Sequence, residues 1–318
     1  MSVLEVKNLN LGFKLENGFY QALYDVTFSL EEGKTLALVG ESGCGKSMSA
    51  MSILNLIPKT AQIVSGEIIF EGENLLNKSQ KQMQSIRGGK IALIPQDPMT
   101  SLNPLYTVGD QLLEVIGKHQ NLYGDEAFNK ALEVFDTVQI PDAKSRLKSY
   151  PHQFSGGMKQ RSIIAMALAC KAKVLIADEP TTALDVTIQA QIMKLLNEIK
   201  RDNNTAILLI THDLALVSEN SDNVAVMYAG RIVEKAPNLE FFQSTNHPYS
   251  KALLKSIPSN RGLRLEAIKG QPPSITQKLP GCKFCQRCDF CTKRCIEKVP
   301  ELIEIGPNHS SACFLNII

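Results

Sequence analysis

The chain has 318 residues, of which 44% are hydrophobic and 21% are charged, and its formal net charge is +2. These values are ordinary for a globular protein, and so small a net charge gives no basic footprint for nucleic acid. The first residues, MSVLEVKN, lack the pattern of a secretory signal. The apolar runs at 174–177 and 206–210 are far shorter than the ~20 residues of a membrane-spanning helix. We therefore expect a cytoplasmic protein that reaches any membrane only through a partner.

The stretch at 35–57, TLALVGESGCGKSMSAMSILNLI, predicts a strand, a glycine-rich turn and a helix. The turn fits the phosphate-loop pattern G-x-x-x-x-G-K-[ST] without a mismatch, and its glycines allow backbone N–H groups to converge on phosphate oxygens. We expect Lys46 to reach the β- and γ-phosphates and the Ser47 hydroxyl to bind Mg²⁺. The residues expected around the nucleotide phosphates are Gly40, Glu41, Ser42, Gly43, Cys44, Gly45, Lys46, Ser47 and Met48.

A second phosphate-competent turn follows in YPHQFSGGMKQR, residues 150–161. Ser155, Gly156 and Gly157 stand at the start of a predicted helix, where backbone N–H groups favour an anion. A chain with one phosphate loop and one such turn holds halves of two different sites. The simple resolution is a head-to-tail dimer, in which each turn closes over the nucleotide on the other subunit's phosphate loop.

An acidic pair ends the next predicted strand, in KVLIADEPTTALD at 173–185. Adjacent carboxylates just past a buried strand are costly unless a cation or a substrate uses them. We expect Asp178 to hold Mg²⁺, directly or through water, and Glu179 to activate a water molecule as general base.

Apolar residues recur at helical spacing in 125–138 and in 187–203, and both stretches are predicted helices. A further apolar strand at 206–210 precedes His212 and Asp213. On its own, a histidine in that position is more often a strand-end capping residue than a catalytic group.

The cysteines concentrate in the tail: six of the eight follow residue 281, and five lie in GCKFCQRCDFCTKRC at 281–295. Cytosolic thiols are kept reduced, so metal ligation is favoured over disulfides. Four thiolates suit either an iron–sulfur cluster or tetrahedral zinc, and the residues alone leave both open. Cys44 and Cys170, which stand apart, are expected to be packing residues, and His309 is expected in a turn.

One reading of the tail is the bacterial ferredoxin run C-x₂-C-x₂-C-x₃-C, spelled by Cys285, Cys288, Cys291 and Cys295. Ile296 replaces the proline of that run, and the fourth cysteine there serves a second cluster, for which the tail has too few partners.

Taken in order, these motifs resemble the ATPase subunits of ABC transporters along most of the chain. FSGGMKQR matches the ABC signature, with Phe154 where leucine is commoner, and TALD at 182–185 matches the D-loop, which includes Asp185. Gln96 in IALIPQDP matches the Q-loop, and His212 in LLITHDL matches the switch histidine.

The resemblance implies roles for these positions. Gln96 would contact Mg²⁺ and couple to the membrane subunit, and His212 would contact the γ-phosphate. The D-loop, with Asp185, would communicate across the dimer. Phe13 would lie under the adenine ring, with Tyr20 as the alternative because the loop spacing is ambiguous.

The resemblance also implies the architecture, which is an α/β P-loop NTPase fold. Residues 1–95 and 172–240 would form the ATP-binding core, with an antiparallel β subdomain, and 97–171 would form a helical subdomain. The nucleotide-binding domain would span 1–257, and a small cysteine-rich region would span 258–318.

The tail narrows the resemblance to one branch. HPYSKALL, GQPPS and PGC are similar to the oligopeptide/dipeptide importer ATPases, and the dipeptide importer ATPase is the nearest fit. Such an ATPase works with a second ABC ATPase subunit, which is the same chain or a related one. It also needs two transmembrane permease subunits and, indirectly, an external solute-binding protein.

Some members of the branch carry a [4Fe–4S] cluster on C-x₅-C-x₆-C-x₁₇-C, a spacing that Cys282, Cys288, Cys295 and Cys313 reproduce. We therefore expect this cluster, with zinc as the alternative and with a structural role ahead of redox sensing. Cys285 and Cys291 depart from the family pattern as extra thiols.

Together the motifs predict hydrolysis of MgATP at a composite dimer interface, on the cytoplasmic face of the cell membrane, to drive peptide import. Glu179, His212 and Gln96 would be catalytic, and Ser47, Gln96 and Asp178 would hold Mg²⁺. Three alternatives remain open. They are a nickel importer, an ABC ATPase acting on DNA or in translation, and a metal-dependent regulatory subunit with weak hydrolysis. The chain lacks the tandem cassette, long coiled coil or basic surface usual in the second, and no nucleic-acid partner is expected.

Overall fold

A computed structural model of the chain describes residues 2–182, 184–256 and 268–316. The chain divides into two compact units. The first unit comprises 31–34 and 78–209, and the second comprises 2–30, 35–77 and 210–318. The domain boundary expected at 257–258 reaches into residues outside the described ranges.

The strands of the described chain are β1 (Ser2–Leu15), β2 (Gly18–Glu31), β3 (Thr35–Val39), β4 (Ala61–Phe70), β5 (Glu73–Asn74), β6 (Ile91–Ile94), β7 (Val174–Asp178), β8 (Ala206–Thr211), β9 (Asn223–Tyr228), β10 (Arg231–Pro237), β11 (Ile303–Gly306) and β12 (His309–Ser311). The helices are α1 (Lys46–Ile53), α2 (Gln80–Ile86), α3 (Pro98–Ser101), α4 (Val108–Gln120), α5 (Gly124–Thr137), α6 (Ala143–Arg146), α7 (Gly156–Ala169), α8 (Val186–Asn203), α9 (Leu214–Asn220), α10 (Asn238–Ser244), α11 (Pro248–Lys255) and α12 (Lys293–Glu297). Short 3₁₀ turns cover Leu75–Asn77, Pro151–Gln153 and Cys285–Arg287.

The first unit is mainly helical. β6 and β7 pair in parallel, with Leu93 opposite Ile176, and β8 follows β7 in the sheet. The chain between β6 and β7 forms α3 to α7, which all lie within 97–171, the range expected for the helical subdomain. α5 and α8 confirm the two amphipathic helices.

The second unit holds an antiparallel sheet in the order β2-β1-β4-β5. β1 and β4 pair with Leu4 opposite Phe70 and Val6 opposite Ile68, and all four side chains are buried. Side chains alternate between the two faces of a strand, so this register places these four apolar side chains on the same face of the sheet. The predicted antiparallel portion is thereby confirmed.

The second unit also contains parallel strands around the phosphate loop. β3 pairs in parallel with β9, with Ala37 opposite Val224, and β9 pairs antiparallel with β10. All five residues of β3 are buried, as expected for a strand covered on both faces.

The tail is anchored to this sheet. β12 pairs with β10, with Ser311 opposite Glu234, and β11 pairs with β12. Phe284 is buried against Tyr228 and Tyr249, at centroid distances of 5.2 and 5.3 Å. Strand pairing and an aromatic core therefore hold the tail in place.

Within the described residues, no helix combines the length and the apolar character needed to cross a bilayer.

Candidate functional site

The phosphate loop of the second unit runs from the end of β3 to the start of α1. Gly40 has φ +152°, and a Cβ there would lie 2.2 Å from the Met227 carbonyl oxygen of the neighbouring strand. Gly45 precedes α1 with φ +111°. Only glycine fits such conformations without strain, which is why the loop needs this residue at these positions.

Lys46 lies inside the loop rather than in solvent. Its side chain is buried, and Nζ donates to the Gly40 carbonyl oxygen at 2.7 Å and to that of Glu41 at 3.0 Å. An ammonium group so placed, beside the N-terminus of α1, can meet phosphate oxygens. Cys44 is buried behind it, and burial raises the pKa of the thiol. The expectation that Cys44 packs is confirmed, and Cys170 is likewise buried with its pKa raised to about 11.

A cavity of about 260 Å³ adjoins the loop within the second unit. Phe13 lines it together with loop residues Gly43, Gly45, Lys46, Ser47 and Met48. Tyr20, the alternative aromatic residue, instead donates its hydroxyl to the Asn17 carbonyl oxygen at 3.3 Å. Part of the cavity wall comes from the tail, through Pro273, Ser274, Ile275, Gln277 and Leu279.

Glu41, inside the phosphate loop, contacts two residues that the sequence did not single out. Its backbone N–H donates to the Tyr249 hydroxyl at 2.9 Å, and its carboxylate receives Nη1 and Nη2 of Arg287 at 2.6 and 2.9 Å. These bonds to Glu41 raise the pKa of Arg287, and burial raises that of Tyr249, so the two groups stay charged and neutral respectively. The HPY stretch carries Tyr249, but its only signal in the sequence was a family resemblance.

His212 follows β8 and its side chain is exposed. The next residue, Asp213, begins α9, accepting hydrogen bonds from the backbone of Ala215 at 2.8 Å and of Leu216 at 3.3 Å. Asp213, rather than His212, is therefore the capping residue at this position.

The first unit brings Gln96 and the acidic pair together. Asp178 ends β7 and is buried, and Glu179 has φ +47°. Gln96 Nε2 donates to Glu179 Oε2 at 3.0 Å, and Thr182 Oγ1 donates to the same oxygen at 2.9 Å. A carboxylate held by two donors at the end of a buried strand is suited to receiving a proton in a fixed direction.

The Ser-Gly-Gly turn opens α7 in the first unit. Ser155 is the N-cap, accepting from the Met158 backbone at 3.3 Å, and its side chain and Gly156 are exposed. The turn is tied to the acidic segment, because Gln160 Nε2 donates to the Pro180 carbonyl oxygen at 2.8 Å. Asp185 caps α8 through the Ile188 backbone at 2.9 Å; Ala183 of the same TALD stretch lies outside the described residues.

All six cysteines of the tail line one small cavity: Cys282, Cys285, Cys288, Cys291, Cys295 and Cys313. Burial raises the pKa of the Cys282 thiol to about 11, and charge on Cys295, Cys313 and Cys288 raises it further. Among the described residues, however, no group of three or more histidine, cysteine or acidic side chains is arranged to hold a metal ion.

Two expectations for the tail are wrong. Cys285 and Cys291 were expected as extra thiols, but they form a disulfide with each other. Their Cα atoms lie 5.2 Å apart, a separation suited to that bond. The ferredoxin-type run thereby loses two of its four thiolates. His309 begins β12 rather than a turn, and its Nε2 lies 2.8 Å from Oε1 of the buried Glu234.

Two family models match the chain: ABC transporter at residues 23–182, and oligopeptide/dipeptide transporter, C-terminal region, at residues 233–295. The chain is 51% identical over 316 residues to a probable peptide ABC transporter ATP-binding protein, y4tR, of Sinorhizobium fredii, covering 98% of this chain and 94% of that one. It is 46% identical over 316 residues to the dipeptide transport ATP-binding protein DppD of Bacillus subtilis, with the same coverage. It is 46% identical over 315 residues to the oligopeptide transport ATP-binding protein OppD of Escherichia coli, with 98% and 93% covered.

Solved structures show the same fold. The ATP-binding cassette MJ0796, a post-hydrolysis dimer bound to ADP and Pi, is 26% identical, with a TM-score of 0.67 over 74% of this chain and 98% of that one. The cbiO1 subunit from Clostridium perfringens, part of the ABC transporter complex cbiONQ, is 28% identical, with a TM-score of 0.65 over 76% and 91%. The α/β P-loop architecture is therefore that of an ABC ATPase.

Proposed function

This chain belongs to the oligopeptide/dipeptide family of ABC transporter ATP-binding subunits, and on that premise we propose that it hydrolyses ATP to power peptide import. The observation that carries the proposal is the pairing of two features in the second unit. A phosphate loop with an inward-facing Lys46 and a tail of the peptide-transporter type meet at Glu41. The family model that matches this tail is the C-terminal region of oligopeptide/dipeptide transporters.

We propose that the phosphates of ATP bind between the loop residues 40–48 and Lys46, with the adenine ring beside Phe13. Asp178, a buried carboxylate at the end of β7, is proposed as a Mg²⁺ ligand because carboxylate oxygens suit this ion, and Ser47 and Gln96 would supply further oxygen ligands. When bound, Mg²⁺ neutralises charge on the phosphates.

Glu179 is proposed as the general base. Gln96 and Thr182 orient its carboxylate, which accepts the proton of the water that attacks the γ-phosphate. His212, exposed after β8, is proposed to contact the γ-phosphate.

A head-to-tail pair of ATPase subunits would complete each site. Ser155, Gly156 and Gly157 would bind the nucleotide held by the partner's loop, and Asp185 would act across the interface. The exposure of this helix N-terminus supports the assignment, since a free N-terminus can accept an anion from another chain. Two permease subunits would hold the chain at the cytoplasmic face of the cell membrane. An external solute-binding protein would be an indirect partner.

We also propose a [4Fe–4S] cluster on Cys282, Cys288, Cys295 and Cys313. All six tail cysteines line one cavity, and the disulfide between Cys285 and Cys291 leaves these four as its free thiols. The support for the cluster over a single zinc ion is the sequence spacing C-x₅-C-x₆-C-x₁₇-C, which these four cysteines reproduce.

The decisive experiment compares the parent chain with Glu179→Gln. We expect the variant to bind MgATP and to form nucleotide-dependent dimers while its turnover falls by about 10²-fold or more, the range for loss of a general base. Unchanged turnover would reject Glu179 as the base. Purification with two membrane proteins would support an importer, whereas purification with ribosomes or DNA would support the alternative ABC ATPase class.

A further inference from the structure

One arginine of the cysteine-rich segment (281–295) reaches the phosphate loop. Arg287 lies on the 3₁₀ turn between Cys285 and Cys288, and its side chain is only 4% exposed. Its two terminal nitrogens bind the two carboxylate oxygens of Glu41 at 2.6 and 2.9 Å. This paired arrangement is the strongest and most directional form of a protein ion pair.

The guanidinium group is fixed from two further sides. Nε donates to the Lys269 carbonyl oxygen at 2.8 Å, and Nη1 also donates to the Tyr228 hydroxyl at 3.3 Å. Phe284 and the ring of Tyr228 are both buried in the same aromatic core. Arg287 is therefore held in place before any ligand arrives.

Glu41 occupies a sensitive position for a carboxylate. It follows Gly40 directly, and its carbonyl oxygen accepts a hydrogen bond from Lys46 Nζ at 3.0 Å. A carboxylate near the loop repels the negative charges of the phosphates and so disfavours their binding. Partial burial of Glu41 weakens the solvent screening of this repulsion. Arg287 offsets the charge and also holds the side chain in one direction.

We infer that Arg287 is a positioning residue of the nucleotide site, through which the cysteine-rich segment sets the affinity of the phosphate loop for ATP. The inference rests on the proposed function, because it requires that the loop binds ATP. It assigns the tail a role beyond its own stability.

The test measures the affinity for MgATP and MgADP by titration calorimetry, with every chain carrying Glu179→Gln so that ATP is not consumed. We expect Arg287→Gln to weaken MgATP binding by about tenfold, because Glu41 is left unpaired. MgADP binding should weaken less, because ADP carries less charge.

A second substitution separates the charge effect from general damage. Adding Glu41→Gln to Arg287→Gln removes the unpaired carboxylate and should restore MgATP affinity to that of the parent. The matched control is Lys293→Gln, which breaks the pair of Lys293 with Glu297 in the tail, where the two side chains are 89% and 56% exposed. This control should leave MgATP affinity unchanged.

Two results would overturn the inference: equal MgATP affinity in Arg287→Gln and the parent, or a loss that Glu41→Gln does not restore. If Arg287→Gln does not fold, Arg287→Lys can be tested instead. Lysine keeps the positive charge but lacks the two parallel N–H donors of the guanidinium group, so this variant should bind MgATP about threefold more weakly than the parent. Parent-like affinity in that variant would also reject the inference. Failure of the parent chain itself to bind MgATP would instead reject the proposed function.

Discussion

The side-chain amide of Gln96 donates a hydrogen bond to the carboxylate of Glu179, with 3.0 Å between Nε2 and Oε2. Thr182 donates to the same oxygen from the turn after β7. Glu179 has a positive φ, which is uncommon for a residue with a side chain. The backbone and two donors together therefore fix the direction of this carboxylate.

The first prediction concerns Thr182, which orients Glu179 without being a proposed Mg²⁺ ligand. Thr182→Val removes the hydroxyl and nearly keeps the shape. We expect kcat for ATP hydrolysis to fall by about 3- to 10-fold, equivalent to one lost hydrogen bond of about 0.7–1.4 kcal/mol. KM for MgATP should stay the same, because the nucleotide contacts are retained. Steady-state phosphate release measures both.

Two further variants bound this result. Thr182→Ser keeps the hydroxyl and should restore the parent kcat. Gln96→Met removes the other donor and a proposed Mg²⁺ ligand, so both kcat and KM should change. An unchanged kcat in Thr182→Val would show that Glu179 needs no orientation from this side.

The second prediction compares two glycines of the phosphate loop. At Gly43, φ is +75° and no atom lies within 4 Å of an added Cβ, so Gly43→Ala should cost only the left-handed conformation, about 1–2 kcal/mol of unfolding free energy. Gly40→Ala should cost more, because its Cβ would lie 2.2 Å from the Met227 carbonyl oxygen in the paired strand β9. Urea unfolding without nucleotide measures the difference, and equal losses would contradict the steric argument.

The parts of the site that the sequence could predict are those encoded locally. The phosphate loop, the acidic pair and the Ser-Gly-Gly turn each occupy a short stretch whose spacing and flanking strand or helix carry the chemistry. Gln96 was reached through resemblance, and its bond to Glu179 spans 83 residues. Thr182 lies in the acidic stretch, but nothing in its spacing points to the carboxylate.

The pairing of Arg287 with Glu41 could not be predicted, because 246 residues separate the two and no periodicity connects them. It depends on the tail strands β11 and β12 joining the sheet, which places the cysteine-rich segment near the phosphate loop within the second unit. His309 was misjudged for the same reason, since its partner Glu234 lies 75 residues away in β10. Short tail strands carry too little pattern to predict their pairing.

The third prediction tests the tail wall of the cavity beside Phe13. Ile275 lines this cavity, whereas its neighbour Thr276 does not. Ile275→Asp puts a charge next to the proposed adenine site and should weaken ATP and ADP alike, by about tenfold, because the loss concerns the base rather than the phosphates. Thr276→Asp adds the same charge one residue away and should have little effect. Titration with both nucleotides distinguishes the two, and equal effects would contradict a role for this wall.

The fourth prediction separates the disulfide from the proposed cluster ligands. Replacing Cys285 and Cys291 with serine should leave iron, acid-labile sulfide and zinc content per chain as in the parent, when the protein is purified anaerobically.

Serine at Cys282, Cys288, Cys295 or Cys313 should lower the metal content, because each removes one thiolate from the set. The disulfide closes a loop with a separation of six residues, so its loss should cost about 2 kcal/mol of unfolding free energy. About four irons and four sulfides per parent chain would support the cluster, whereas one zinc and no sulfide would make the tail a zinc site. Equal metal loss in the Cys285/Cys291 double variant and in Cys288→Ser would show that the disulfide cysteines also ligate, and would reject the division of the six tail cysteines into four ligands and one disulfide.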